Sequence, residues 1–193
     1  MRVAIGLGSS LGDRAGHVEL AIRRLDAAAG MSLERASLGV RTPPMRGGTA
    51  RGWFLNAVAV YETERTPQEI LELCISLEHA ANRRRARHWG DRTLDLDVLH
   101  VEGVISADPV LLLPHPAIGK RRFVLGPLLS IWPDATHPGT GIRWADGAPP
   151  AGPRPVPVMA FAVGPKAAYQ GRSTTAWNRH EAVHRHRKHR AHP

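Results

Sequence analysis

WGDRTLDLDVLHV, residues 89–101, is the stretch from which the rest of the chain is best read. From Leu94 to Val101 its pattern has a period of two, which predicts a β-strand. Leu94, Leu96 and Val98 point one way, and Asp95 and Asp97 the other. Both carboxylates therefore leave one face, with Cα atoms roughly 6–7 Å apart. Two carboxylates that close repel unless a cation or a proton sits between them. A hard dication suits an all-oxygen site, and Mg²⁺ fits best where phosphate supplies further ligands. Arg92, with Arg83, Arg84, Arg85 and Arg87 upstream, adds positive charge nearby. Two acids on a strand are often no more than a solvated face. Here a Trp, a Gly and an Arg share nine residues with them, and the set points to metal-assisted phosphoryl chemistry.

Arg2 to Leu7 reads as a short buried strand. The turn Gly8-Ser9-Ser10-Leu11-Gly12-Asp13 follows, then a helix carrying Val18, Ala21, Ile22, Leu25 and Ala29 at helical spacing, with Gly30 to close it. The turn lacks both the dinucleotide fingerprint and the lysine of a P-loop, so it reads as structural. Leu33 to Arg41 reads as one strand, stopped by Thr42-Pro43-Pro44. Phe54 to Tyr61 is a clear strand in which Asn56 is the odd member. Thr66-Pro67-Gln68-Glu69 is a strong helix start, with an N-cap, a proline at the first position and the acid of a capping box. Cys74 falls on that helix's apolar face and reads as packing; being the single cysteine, it can form no intrachain disulfide. Phe123 to Leu129 is apolar and reads as buried.

The chain has 193 residues, 42% hydrophobic and 22% charged, a composition that folds. Its net charge of +9 at first suggests a nucleic-acid binder. However, residues 1–150 hold 18 of the 26 Lys and Arg and 16 of the 17 Asp and Glu. Most of the excess thus lies in the last 43 residues, and the remainder is balanced like a small enzyme. No apolar run approaches the ~20 residues of a membrane span, and the N-terminus lacks a signal-peptide pattern. A cytoplasmic protein is expected.

The motifs together resemble the 6-hydroxymethyl-7,8-dihydropterin pyrophosphokinase family. The resemblance rests on Arg92-Thr93-Leu94-Asp95-Leu96-Asp97 after Trp89-Gly90, and on Gly8 to Arg14. It also rests on Arg41-Thr42-Pro43-Pro44, Phe54-Leu55-Asn56-Ala57, Glu78 with Arg83 and Arg85, Leu113-Pro114-His115-Pro116, and Arg121 to Leu128. It covers roughly residues 1–135 in order. It implies a ferredoxin-like α+β sandwich: a mostly antiparallel sheet with helices packed on it. The reaction it implies transfers pyrophosphate from ATP to the pterin hydroxymethyl group and releases AMP, a step of folate biosynthesis. It also implies two Mg²⁺ ions.

Residue roles follow from the same resemblance. Asp95 and Asp97 would hold the metal, with Asp97 also orienting the attacking hydroxyl. Arg83 (or Arg84, if the spacing slips by one) and Arg92 would stabilise the transferring group. Phe54 and Phe123 would sandwich the pterin, Asn56 would bond its edge, and Thr42, Pro43, Pro44 and Met45 would wall it. Trp89 would close over the site. Glu78, Arg85, Val98, His115 and Arg121 would lie on the nucleotide side. The chain departs from the family pattern at Asn82, where Gly is usual, at Phe54, where Tyr is frequent, and at Ile75, where Gln is expected.

The implied catalytic domain spans residues 1–138. Residues 139–193, rich first in Pro, Gly and Ala and then in Arg and His, are expected to form a disordered tail whose removal from 151 onward spares turnover. The expected partners are small molecules, with no specific nucleic acid and no membrane, and the expected state is a monomer. Two other readings stay open at this level. One is a ferredoxin-like nucleic-acid-binding module with a basic tail, which the 5% aromatic content disfavours. The other is a pyrophosphokinase scaffold without activity. The histidines at 180, 184, 186, 189 and 192 read as part of the basic tail rather than as a zinc or nickel site.

Overall fold

The computed structural model describes residues 1–44, 47–83, 90–147 and 155–163. Met1–Val163 form one compact unit. Its elements in order are β1 (Arg2–Ser9), α1 (Arg14–Ala27), β2 (Met31–Ala36), β3 (Gly39–Thr42), β4 (Phe54–Thr63), α2 (Pro67–Ala80), β5 (Asp95–Val101), β6 (Ser106–Asp108), β7 (Leu111–Leu113), α3 (Arg122–Ile131) and β8 (Val156–Met159). Among the described residues, six strands make one sheet in the order β5-β1-β4-β3-β8, with β2 also on β4; every pairing is antiparallel. β6 and β7 form a separate hairpin. No helix among the described residues is long and apolar enough to cross a membrane.

The local signals act as their chemistry dictates. Asp13 caps α1 by accepting from the Gly16 N–H at 2.9 Å. Thr66 and Glu69 complete the capping box of α2. At the far end of α2, Asn82 sits at φ 55, the Arg83 N–H reaches the Glu78 carbonyl at 3.1 Å, and the Asn82 N–H reaches that of His79 at 2.9 Å. These paired bonds are a Schellman closure, with Asn82 at the left-handed position that Gly usually takes. The closure delivers Arg83 to the end of β5.

Period-two patterning sorts β4 onto two faces. Val58 and Val60 pack with Ala4, Leu99 and the α3 residues Val124, Leu125 and Leu128. Tyr61, of opposite parity, is fully buried and donates its hydroxyl to the Ile22 carbonyl in α1 at 3.2 Å. The result is an α+β sandwich, as the resemblance implies.

Two differences from the sequence reading are long-range in origin. The stretch read as one strand over 33–41 is two, because Ser37 interrupts it. The Ser37 hydroxyl accepts from the Val58 N–H at 3.0 Å while its own N–H donates to the Val58 carbonyl at 2.9 Å, so the chain bends before pairing with β4 again. In addition, β8 lies beyond the boundary expected at residue 138. It adds to β3 with Val40 opposite Pro157 and Arg41 opposite Val156. Prolines 155 and 157 make this segment look like a linker, yet an edge strand tolerates the missing donor.

Candidate active site

The central strand β1 has no side chains where the cleft lies. Gly6 stands opposite Val58 on β4 and Asp97 on β5; Gly8 stands opposite Asn56 and Asp95. A Cβ on Gly8 would fall 3.2 Å from the Asn56 Oδ1, and one on Gly6 would fall 3.2 Å from a Leu99 methyl carbon. The two glycines therefore floor a cavity of about 300 Å³. Its β3–β4 wall carries Thr42, Pro43, Phe54 and Asn56. Its opposite wall carries Arg83, Arg92, Asp95 and Asp97, and His115, Arg121 and Phe123 close a third side.

The groups in the cleft hold one another. The Asn56 amide donates to the Thr42 hydroxyl at 2.8 Å, which fixes its rotamer. Both oxygens of Asp95 are engaged: Arg83 lies 2.7 Å from one and Arg92 2.6 Å from the other. Arg83 also pairs with Glu78, a nearly fully buried carboxylate that accepts from the Leu96 N–H at 2.7 Å. Burial raises the Glu78 carboxyl above its ordinary value, against the pull of the Leu96 N–H and of Arg83. Arg92 is fixed by its backbone to the turn after β1. Its N–H donates to the Ser10 hydroxyl at 2.9 Å, and its carbonyl accepts from the N–H groups of Ser10 and Leu11 at 2.9 and 3.2 Å.

Asp97 differs from Asp95. Among the described residues its carboxylate has no hydrogen bond or ion pair. Burial, and then the charge of Asp95, push its carboxyl above the usual range, against the opposing fields of His115, Arg121 and Arg92. A carboxylate beside a second one and short of a partner is what a cation relieves. Among the described residues no cluster of three or more His, Cys, Asp or Glu gathers. Two carboxylates fit Mg²⁺, which takes its remaining ligands from phosphate and water, and do not fit a closed protein cage.

The His115 ring is oriented as well. Its Nδ1 accepts from the Ala117 N–H at 3.1 Å, which fixes the ring's orientation. The Arg121 guanidinium lies 5.9 Å from the centre of the Phe123 ring.

Thus eleven of the residues singled out from the sequence line one cavity. Glu78, Val98 and Pro44 do not line it: Glu78 and Val98 are buried beneath the β5 wall, and Pro44 is half-buried outside the lining. Met45, Arg84, Arg85 and Trp89 lie outside the described residues. Gly6 and Gly8 were not singled out as site residues. Gly6 carries a signal, since glycine inside a strand marks a close approach, whereas Gly8 reads as turn in the sequence and β1 runs on through it to Ser9.

Fold and cleft define a class: an α+β sandwich enzyme with carboxylates and guanidinium groups gathered over a bare central strand. The model of the 7,8-dihydro-6-hydroxymethylpterin-pyrophosphokinase family matches residues 4–133, and the chain belongs to that family. The chain is 44% identical over 144 residues to the 2-amino-4-hydroxy-6-hydroxymethyldihydropteridine pyrophosphokinase of Methylorubrum extorquens, covering 75% of this chain and 90% of that one. The enzyme of the same name from Aquifex aeolicus is 35% identical over 136 residues, 70% of this chain and 83% of its own. Among solved structures, the HPPK-DHPS triple mutant of Plasmodium falciparum matches with a TM-score of 0.54 at 14% identity, over 74% of this chain and 42% of that one; this likeness concerns the fold.

Proposed function

We propose that this chain transfers pyrophosphate from ATP to the hydroxymethyl group of 6-hydroxymethyl-7,8-dihydropterin, releasing AMP in folate biosynthesis. Membership of the pyrophosphokinase family supports the reaction. The observation that carries the site assignment is the pairing of Asp97, without a partner among the described residues, with Asp95 on one face of β5, opposite Phe54 and Asn56.

In this reading Asp95 and Asp97 hold two Mg²⁺ ions, whose chemistry is to neutralise charge on the α and β phosphates. Arg83 and Arg92 bind the oxygens of the transferring pyrophosphoryl group, a task for which a planar guanidinium is well shaped. Both now bridge to Asp95, so nucleotide binding exchanges those contacts for phosphate. Asp97 orients the attacking hydroxyl.

Phe54 and Phe123 stack on the pterin from opposite sides. Asn56, held by Thr42, bonds the pterin edge, and Pro43 shapes the wall. His115 and Arg121 face the triphosphate, with Glu78, Arg85 and Val98 on the nucleotide side. Glu78 acts there by holding Arg83 rather than by touching nucleotide. The enzyme acts as a cytoplasmic monomer on small molecules. Neither the nucleic-acid-binding reading nor the inactive scaffold has support in the family match.

The test is AMP release assayed with each component omitted in turn. AMP is expected to form when ATP, the reduced pterin and Mg²⁺ are all present. AMP formation at the same rate without pterin, or turnover untouched by chelation, contradicts the reading.

A further inference from the structure

Asp91 immediately precedes Arg92 and takes no part in the roles assigned above. Its Oδ2 accepts from the Arg51 N–H at 3.1 Å and its Oδ1 from the Gly52 N–H at 3.4 Å. It thus reaches across the rim of the cleft to the backbone of the segment that leads into Phe54. That segment is gripped from other directions as well. The Arg14 Nε–H donates to the Trp53 carbonyl at 3.2 Å. The Arg14 and Arg41 guanidinium groups lie 4.4 and 4.9 Å from the centre of the Trp53 indole. Gly52 permits the close passage, since a Cβ there would lie 3.2 Å from the Ser10 carbonyl oxygen and 3.5 Å from the Asp91 Oδ1.

The two sides of this tie are not equally dependent on it. Arg92 is already fixed by three backbone bonds to the Ser10 turn and by its ion pair with Asp95. The Arg51–Trp53 segment draws two of its backbone bonds from the Asp91 carboxylate. Losing the carboxylate therefore loosens the Phe54 wall and leaves Arg92 in place.

We propose that Asp91 is a positioning residue for the pterin: it holds the Arg51–Gly52–Trp53 segment against the segment bearing Arg92 and so fixes the Phe54 wall. The proposal rests on the reading that Phe54 stacks on the pterin. Opposing pulls act on the carboxyl. Partial desolvation raises it, but the Arg51 and Gly52 N–H groups and the Ser10 hydroxyl outweigh that and hold it below its ordinary value, so it is ionised at neutral pH. It is thus the charged, stronger form of the acceptor that makes the tie.

The experiment compares Asp91→Ala, Asp91→Asn, Gly52→Ala and Phe54→Ala in the full chain. It measures the KM for pterin, the KM for ATP, kcat and the thermal midpoint. Asp91→Ala is expected to raise the pterin KM about tenfold, the effect of losing two backbone bonds to a charged acceptor, while the ATP KM stays within about twofold. Asp91→Asn retains one acceptor oxygen and should fall between. Gly52→Ala displaces the same segment without a change of charge, so it should reproduce the split even if Asp91→Ala folds poorly. A structural role alone would lower the thermal midpoint and active fraction and leave both KM values unchanged. A pterin KM within about twofold of wild type in both Asp91→Ala and Gly52→Ala, or ATP and pterin KM rising together, overturns the proposal. If Phe54→Ala raises the pterin KM while the Asp91 variants do not, the tie is wrong and the pterin wall stands. If Phe54→Ala also leaves it unchanged, the pterin assignment falls and the proposal with it.

Discussion

Gly8 on β1 lies directly opposite Asn56 on β4, and a methyl group on Gly8 would sit 3.2 Å from the Asn56 amide oxygen. The same glycine faces Asp95 on its other side, where an added Cβ would lie 3.6 Å from the Asp95 Cβ. One residue without a side chain thus spaces the amide wall from the carboxylate wall. Gly8→Ala is expected to fold, because its neighbours are side-chain atoms at the edge of a cavity. It should lose on the order of 10–100-fold in kcat/KM, since a small misplacement of reacting groups carries a large cost. Steady-state kinetics beside a thermal melt checks both halves.

Asn82 closes α2 at φ 55, in the region where a Cβ is unfavourable for most residues. Asn82→Ala should destabilise the protein by about 1 kcal/mol. Asn82→Gly should not destabilise it and should leave turnover intact. Because Arg83 is the next residue, Asn82→Ala should also weaken turnover more than its effect on stability explains. Urea unfolding with parallel assays separates the two.

His100 is nearly fully buried on β5, with its ring centre 5.1 Å from that of Trp132 and 6.4 Å from that of Trp144. Burial lowers its pKa to about 4; Glu102 opposes this, while His137 and Arg2 add to it. The folded pKa lies below the unfolded value, near 6.5, so the unfolded chain takes up the proton first and stability falls as the pH drops from about 6.5 to 4. The full effect is on the order of 3 kcal/mol. Glu78 and Asp97, both raised, act in the opposite sense. The decisive quantity is therefore the difference between wild type and His100→Leu. Denaturant unfolding at several pH values should show the wild type losing ground to the variant on acidification. Parallel curves would contradict the burial of a neutral His100.

β8 sets where the chain can be shortened. Truncation after Val163 should leave the thermal midpoint of the folded unit unchanged. Truncation after Gly147 removes β8, strips Met159 and Phe161 from over Gly39, leaves β3 as an unpaired edge, and should lower the midpoint by roughly 3–8 °C. Equal midpoints for the two truncations would show that β8 adds nothing to the sheet's stability.

What the sequence revealed was set by how local the physics was. The capping box of α2 lies within four residues and the alternation of β5 within eight, and both stand as read. The cleft's carboxylates, arginines and aromatic residues were recognisable because separate motifs occur in one order along the chain. The bend at Ser37, the Asp91 tie to Arg51 and Gly52, and the addition of β8 to β3 each join residues 21 or more apart. No pattern in either partner alone announces such a pairing, and in β8 the prolines argue against one. Gly6 and Gly8 were in plain view, but their use depends on which neighbours the sheet brings beside them.

We propose that Asp95 and Asp97, facing Phe54 and Asn56 across a glycine floor, carry pyrophosphate transfer. It is tested most directly by AMP release from ATP in the presence of the reduced pterin and Mg²⁺, measured for wild type and Asp97→Ala. The Asp97 carboxylate makes no hydrogen bond or ion pair among the described residues. Its removal should therefore leave the thermal midpoint within a few degrees while turnover falls by about 10³-fold or more. A variant that folds and turns over at a near-normal rate would contradict the claim.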